Sequence, residues 1–168
     1  MRVLAWFGIV VVIAIATAFG IARRSDGPFG IIAGGPLVAG ELYSGPEPNW
    51  SLVRDVREVE LQLLEPARSR TTWILDVEGR AFIPCGYMDS RWGRLWKHWP
   101  LEAERDGRAL LRVGGIRYER RLVRVREPAL VAAVVGELAR KYAPGVTTAA
   151  VESDSLWIFE LAPRAAVS

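Results

Sequence analysis

The residues best suited to chemistry gather in the middle of the chain. Arg70, Arg91, Arg94 and Lys97 bring cationic groups, and Thr72 and Ser90 bring hydroxyls. Guanidinium groups grip phosphate oxygens two at a time. A helix opening near Ser90 adds free N–H groups and a dipole of favourable sign. Such a set suits the phosphate end of a cofactor better than it suits bond breaking. The competing reading leaves these residues solvated on strand ends and on a surface helix.

Aromatic side chains lie among them: Trp73, Tyr87, Trp92, Trp96 and Trp99. Trp92, Trp96 and Trp99 recur at the spacing of one helix face. That face either walls a pocket for a planar ring, rests on lipid, or plugs the core, and core is the stronger reading. His98, the single histidine, suits a haem ligand or a general acid–base in principle. With no paired carboxylate signal it reads as a partly exposed helix residue. Cys85, the single cysteine, excludes an intrachain disulfide and reads as a buried strand-end residue. One Cys and one His cannot build a closed zinc site. Arg117, Arg120, Arg121, Arg124 and Arg126 fall on both faces of one strand and are diluted by Glu119 and Glu127. They read as a solvated strand, and no nucleic-acid partner is expected. The net charge of +3, from 22 basic and 19 acidic residues, agrees with that.

Two parts must position these residues. The first is an anchor over 1–24. Residues 3–22, VLAWFGIVVVIAIATAFGIA, carry no charge, and as a helix they reach about 30 Å, the thickness of a bilayer core. Arg2 precedes the run and Arg23 and Arg24 follow it. A single-pass helix is expected, with membrane lipid as its partner and the folded domain outside the cytoplasm. The rival is a cleaved signal peptide, because Ala16-Thr17-Ala18 resembles a small-residue cleavage site. Residues 25–50, rich in Gly and Pro, read as a linker and entry loop with a short strand near Leu37–Tyr43.

The second part is a domain over 51–168. Val59, Leu61 and Leu63 alternate with polar residues as in a half-buried strand, ended by Pro66. Thr71–Val77 and Arg80–Cys85 form a hairpin about Glu78-Gly79. A short helix is expected over Arg91–Trp99, stopped by Pro100. Ala109–Val113 and Ile116–Val125 flank a Gly114-Gly115 turn. Pro128 opens an amphipathic helix to about Tyr142, with Glu137 and Lys141 paired at i,i+4. Leu156–Leu161 is the last strand. Five or six antiparallel strands with a mid-chain and a late helix predict a mainly β, α+β fold, a closed or split barrel.

The stretch SRTTWILDVEGRAFIPCGYMDSRWGRLWKHWP, followed by RALLRVGGIRYERRLVRV, resembles the flavin-binding split-barrel superfamily. Pyridoxamine-phosphate oxidases and deazaflavin-dependent nitroreductases belong to it. The Gly-Gly turn and the Trp-Pro segment also resemble uncharacterised membrane-anchored bacterial relatives. Arg70 and Thr72 stand at the start of the first strand, Tyr87 ends the second, and Ser90-Arg91 match the helix opening. Trp92 stands where those enzymes carry lysine, and Lys97 is the cation that follows. The resemblance implies an FMN or deazaflavin cofactor, less readily haem, held by Arg70, Thr72, Tyr87, Ser90, Arg91 and Lys97. It also implies a homodimer. Two functions follow as expectations: a membrane-anchored oxidoreductase, or a tethered binding or scaffold domain that has lost the cofactor.

Overall fold

The computed structural model describes residues 2–30, 32–86 and 98–164, with side chains in the first helix from Trp6 onward. That helix, α1 (Arg2–Ala22), exposes every side chain from Trp6 to Phe19. Among the described residues, no helix is long and apolar enough to cross a membrane. The stretch with described side chains leaves out Arg2 to Ala5 of this 21-residue helix.

The rest is mainly antiparallel β with several helices. In chain order come β1 (Glu41–Leu42), a 3-10 turn (Trp50–Val53), β2 (Glu58–Leu63), β3 (Arg68–Trp73), β4 (Leu75–Val77) and β5 (Arg80–Gly86). Then follow α2 (Trp99–Arg105), β6 (Arg108–Val113), β7 (Ile116–Arg124), α3 (Pro128–Lys141), α4 (Ala149–Glu152) and β8 (Leu156–Pro163). The sheet runs β3-β2-β6-β7-β8-β5-β4, and β1 adds a parallel pair to β7. Alternation sets the faces. Val59, Leu61, Leu63, Leu111, Ile83 and Phe159 turn inward with Trp50 and Trp99 to form one core. On the outer face Val131, Val134, Val135 and Leu138 of α3 cover Leu75, Phe82 and Ile158 as a second core. The hairpin turns form where expected. Glu78 and Gly79 take φ of 53° and 73°, and Gly114 and Gly115 take 56° and 82°, the left-handed geometry that two-residue hairpins require.

The sheet curls because its two edge strands are consecutive pieces of chain. Thr71–Val77 reads as one strand, yet it breaks at Ile74. Before the break β3 pairs with β2, and after it β4 pairs with β5. One continuous segment therefore serves both edges of the sheet. At the corner the Ile74 peptide leaves the ladder while its side chain is fully buried. Buried N–H and C=O groups need partners. Tyr142 and Lys141, at the end of α3, supply them. The Ile74 N–H donates to the Tyr142 hydroxyl at 3.3 Å, and the Ile74 carbonyl accepts from Lys141 Nζ at 2.9 Å. Lys141 Nζ also donates to the Val53 carbonyl at 2.9 Å. The Tyr142 oxygen lies 2.5 Å from the Arg57 carbonyl and 2.9 Å from that of Ile74.

Three expectations are corrected here. Lys141 does not pair with Glu137, because the corner carbonyls claim its ammonium, and Glu137 pairs with Arg140 at 2.6 Å instead. Pro100 does not stop a helix. It sits in the first turn of α2, where its missing N–H costs nothing and its fixed φ suits the helix. The strands number eight rather than five or six among the described residues, because the bend at Ile74 and the short β1 add to the count. The part of the expected helix over residues 91–97 lies outside the described residues.

Segment 25–50 lies along the barrel. Asp26 accepts from the backbone N–H groups of Val38 at 2.7 Å and Ala39 at 3.2 Å, and pairs with Arg112 at 2.9 Å. Arg112 is bound on its other side by Glu60. The Gly35 N–H donates to the Ser25 carbonyl at 3.1 Å, and Ala22, the last residue of α1, is buried.

If the corner is held as described, Tyr142→Phe and Lys141→Met each strand buried carbonyls. Each is expected to cost about 1–3 kcal/mol in urea unfolding of the full-length chain.

Candidate functional site

Beyond Phe82, β5 pairs with β8 on one side, and β4 no longer accompanies it on the other. β3 faces that free edge across a seam. A cleft of about 760 Å³ opens on the outer side of the seam. Thr71, Thr72 and Trp73 of β3 form one wall, and Pro84 and Gly86 of β5 form the other. Leu138 and Leu156 come from the second core, with Ala143, Val146 and Ala150 after α3 closing the side. Volume and apolar character fall in the range of small-molecule sites.

Trp73 is the largest side chain in that lining. It stacks on Tyr142 with ring centroids 4.6 Å apart and planes 4° from parallel. One indole face is thus covered, and the side chain still exposes 42% of its surface. Glu58 is the one carboxylate in the described lining, and Thr71, Thr72 and Ser155 are its hydroxyls. No base–nucleophile pair is present among them.

The structure separates the two described members of the expected cofactor set. Thr72 lines the large cleft. Arg70 is paired in register with Leu61, so its side chain shares the inner face of the barrel. It lines a second cleft, together with His98 and Trp99, at the mouth of the barrel. Its guanidinium carbon lies 5.4 Å from the Trp99 ring centroid. Tyr87, Ser90, Arg91 and Lys97 lie outside the described residues, as do Trp92, Arg94 and Trp96. Trp99 is buried in the inner core, in keeping with a plugging role. Cys85 is buried on the inner face of β5. Trp73 was visible as an aromatic, but its stack on Tyr142 was not, because the partner comes from a helix far along the chain. Among the described residues no group of acidic, His and Cys side chains could hold a metal ion.

The arginines of β7 overturn their expected role. Arg120 is buried and donates to Glu47 at 2.6 and 2.8 Å. Glu47 also accepts from Trp50 Nε1 at 2.8 Å, and Arg120 sits 5.3 Å over the Trp50 ring. Arg117 donates to the carbonyls of Gly40 and Leu37, both at 3.0 Å. Arg124 pairs with Glu104 and Asp154 while lying 3.5 Å from the Trp157 ring centroid. Only Arg121 and Arg126 are largely exposed. The strand is not a solvated face, because segment 25–50 and α2 bring carbonyls and carboxylates over it.

No family model matches the sequence, and no curated protein matches it. Among solved structures, the fold is similar to a conserved hypothetical protein, Rv2991 from Mycobacterium tuberculosis. The identity is 16% and the TM-score 0.47, over 68% of this chain and 77% of that chain. A likeness of that degree says nothing of a site or an activity.

A flavin-type group fits the described residues in part. The open side of the Trp73 indole suits a planar ring. The described lining of the same cleft holds no cation for a phosphate, since Arg70 faces the other cleft.

Glu47 gives the pH dependence of the fold a direction. Hydrogen bonds from Arg120, then from Trp50, hold its carboxyl below the usual carboxylate range. A depressed folded-state pKa stabilises fully above the unfolded value, and that contribution is lost as pH falls through the folded one. Glu47→Gln is therefore expected to melt below the native chain near neutral pH. The gap should close as the pH drops below about 4, and thermal melts across that range measure it.

Proposed function

We propose that this chain is a membrane-anchored binding protein of the split-barrel type, whose open seam receives a planar ring molecule. The curl that places one bent segment at both sheet edges supports the split-barrel reading. The observation that carries the binding reading is Trp73, held flat by Tyr142 while its remaining surface lines the cleft. A flavin or deazaflavin is the class that the sequence resemblance implies. Redox chemistry, where present, would be supplied by that group, with the chain positioning it. The absence of an acid–base pair from the described lining favours binding over chemistry by the chain's own side chains.

What supports the anchor is α1. Its 21 residues would reach about 31 Å, close to the hydrocarbon thickness of a bilayer. Trp6, Phe7, Val10, Val12, Ile13 and Ile15 are all more than half exposed. An apolar helix bare on every side needs cover that the folded domain does not provide.

Two measurements test this. Full-length protein in neutral detergent is titrated with riboflavin and with FMN, following quenching of flavin fluorescence. Trp73→Ala should weaken both about tenfold, and unchanged affinity for both would remove the cleft from the proposal. For the anchor, membranes from expressing cells are washed with high salt and carbonate. The chain should stay in the pellet at its full mass. Release as a species shortened near Ala18 would show a cleaved leader instead.

A further inference from the structure

We infer that the cleft where α1 meets the mouth of the barrel seats the phosphate group of an anionic membrane lipid, held by Arg23, Arg68 and Arg70. The cleft measures about 340 Å³ and is lined by these three arginines with Phe19, Pro66, His98, Trp99 and Glu102 among its walls. That size, at the low end for ligand sites, suits a headgroup better than a ring cofactor.

Charge balance makes the case. Three arginines face one carboxylate, Glu102. Most barrel arginines are paired: Arg112 with Asp26 and Glu60, Arg120 with Glu47, Arg124 with Glu104 and Asp154, Arg80 with Glu160. No described carboxylate lies within salt-bridge distance of Arg23, Arg68 or Arg70. Arg68 and Arg70 are two residues apart on the inner face of β3, so their like charges are neighbours. The Arg70 Nε atom is buried and has no hydrogen-bond partner. Burial, with Arg68 adding its repulsion, pulls the Arg70 guanidinium down to about 10. A buried donor without a partner is rare and calls for an explanation. A phosphate in the cleft supplies one: it offers an acceptor to Nε and offsets the crowding of cations.

The position of the cleft chooses the source of the phosphate. Phe19 and Arg23 are four residues apart, on one face at the polar end of α1. An aromatic ring followed by an arginine is the pattern of a membrane–water boundary. With α1 in the bilayer, as proposed above, the cleft opens at the depth of the lipid phosphates. The inference rests on that anchor.

The test uses the full-length chain in mixed micelles of phosphatidylcholine and phosphatidylglycerol, read by native mass spectrometry. One phosphatidylglycerol should be retained, preferred about tenfold over phosphatidylcholine. The pair Arg68→Gln with Arg70→Gln should erase that preference, and so should Arg23→Gln, which leaves the barrel untouched. Arg24→Gln, outside the cleft, should keep it. A native chain with no preference, or variants that retain phosphatidylglycerol as well as it does, would overturn the site. Stabilisation by inorganic phosphate equal to that by phosphatidylglycerol would make free phosphate the ligand and overturn the lipid assignment. Sedimentation with vesicles of pure phosphatidylcholine separates the two readings. A chain that stays in solution sinks the anchor, and the lipid site with it. A chain that sediments but ignores lipid charge sinks the site alone.

Discussion

The fold turns on one peptide group. Ile74 sits where a single β segment leaves one edge of the sheet and joins the other, and its backbone has no strand partner at that point. The ammonium of Lys141 and the hydroxyl of Tyr142 take the place of the missing ladder. Both groups are affected by their surroundings: burial pushes the Lys141 ammonium down and the Tyr142 phenol up. Without that clamp a buried carbonyl would lack its partner, and a bent strand would have reason to straighten. The same tyrosine carries the Trp73 ring, so the closure of the barrel and the flatness of the cleft wall depend on one side chain.

The arginines divide into two physical classes. Those on β6 and β7 are tied to carboxylates or carbonyls and fasten loops to the sheet. Arg120 is the clearest, buried against Trp50 and gripping Glu47 with both terminal nitrogens. Paired charges of this kind hold segments in register and leave little capacity to bind anything else. Arg68 and Arg70 belong to the second class. They lie on the inner face of β3, half covered, with cations as neighbours. A chain seldom keeps buried charge in that condition without something to meet it.

Much of the fold was legible because its signals are local. Alternation over Val59–Leu63, paired turn residues at Glu78-Gly79 and Gly114-Gly115, and the apolar face of α3 each report on their own segment. What escaped depends on distant partners. TTWILDV is uniformly strand-like, and only the arrival of Lys141 and Tyr142 makes a corner at Ile74. A proline reads the same whether it ends one helix or opens the next, so Pro100 was assigned to the wrong side of a boundary. Arginine composition predicts solvent, and burial of Arg120 requires Glu47 from a glycine-rich stretch that reads as linker. The site was less legible still. Arg70 and Thr72 share one strand face two residues apart, yet they open into separate clefts. The expected partners Tyr87, Ser90, Arg91 and Lys97 fall outside the described residues.

The junction after α1 is short and stiff. Ala22 is buried, Ser25 is bound to Gly35, and Asp26 is locked to Arg112 and to two backbone amides. Such a joint works as a bracket rather than a leash. Tilt of the helix would be passed directly to the barrel, and the barrel would have little freedom to swivel. In a bilayer, the height of the seam above the surface and the direction it faces would be set by the helix, so bilayer thickness itself would govern which molecules come within its reach.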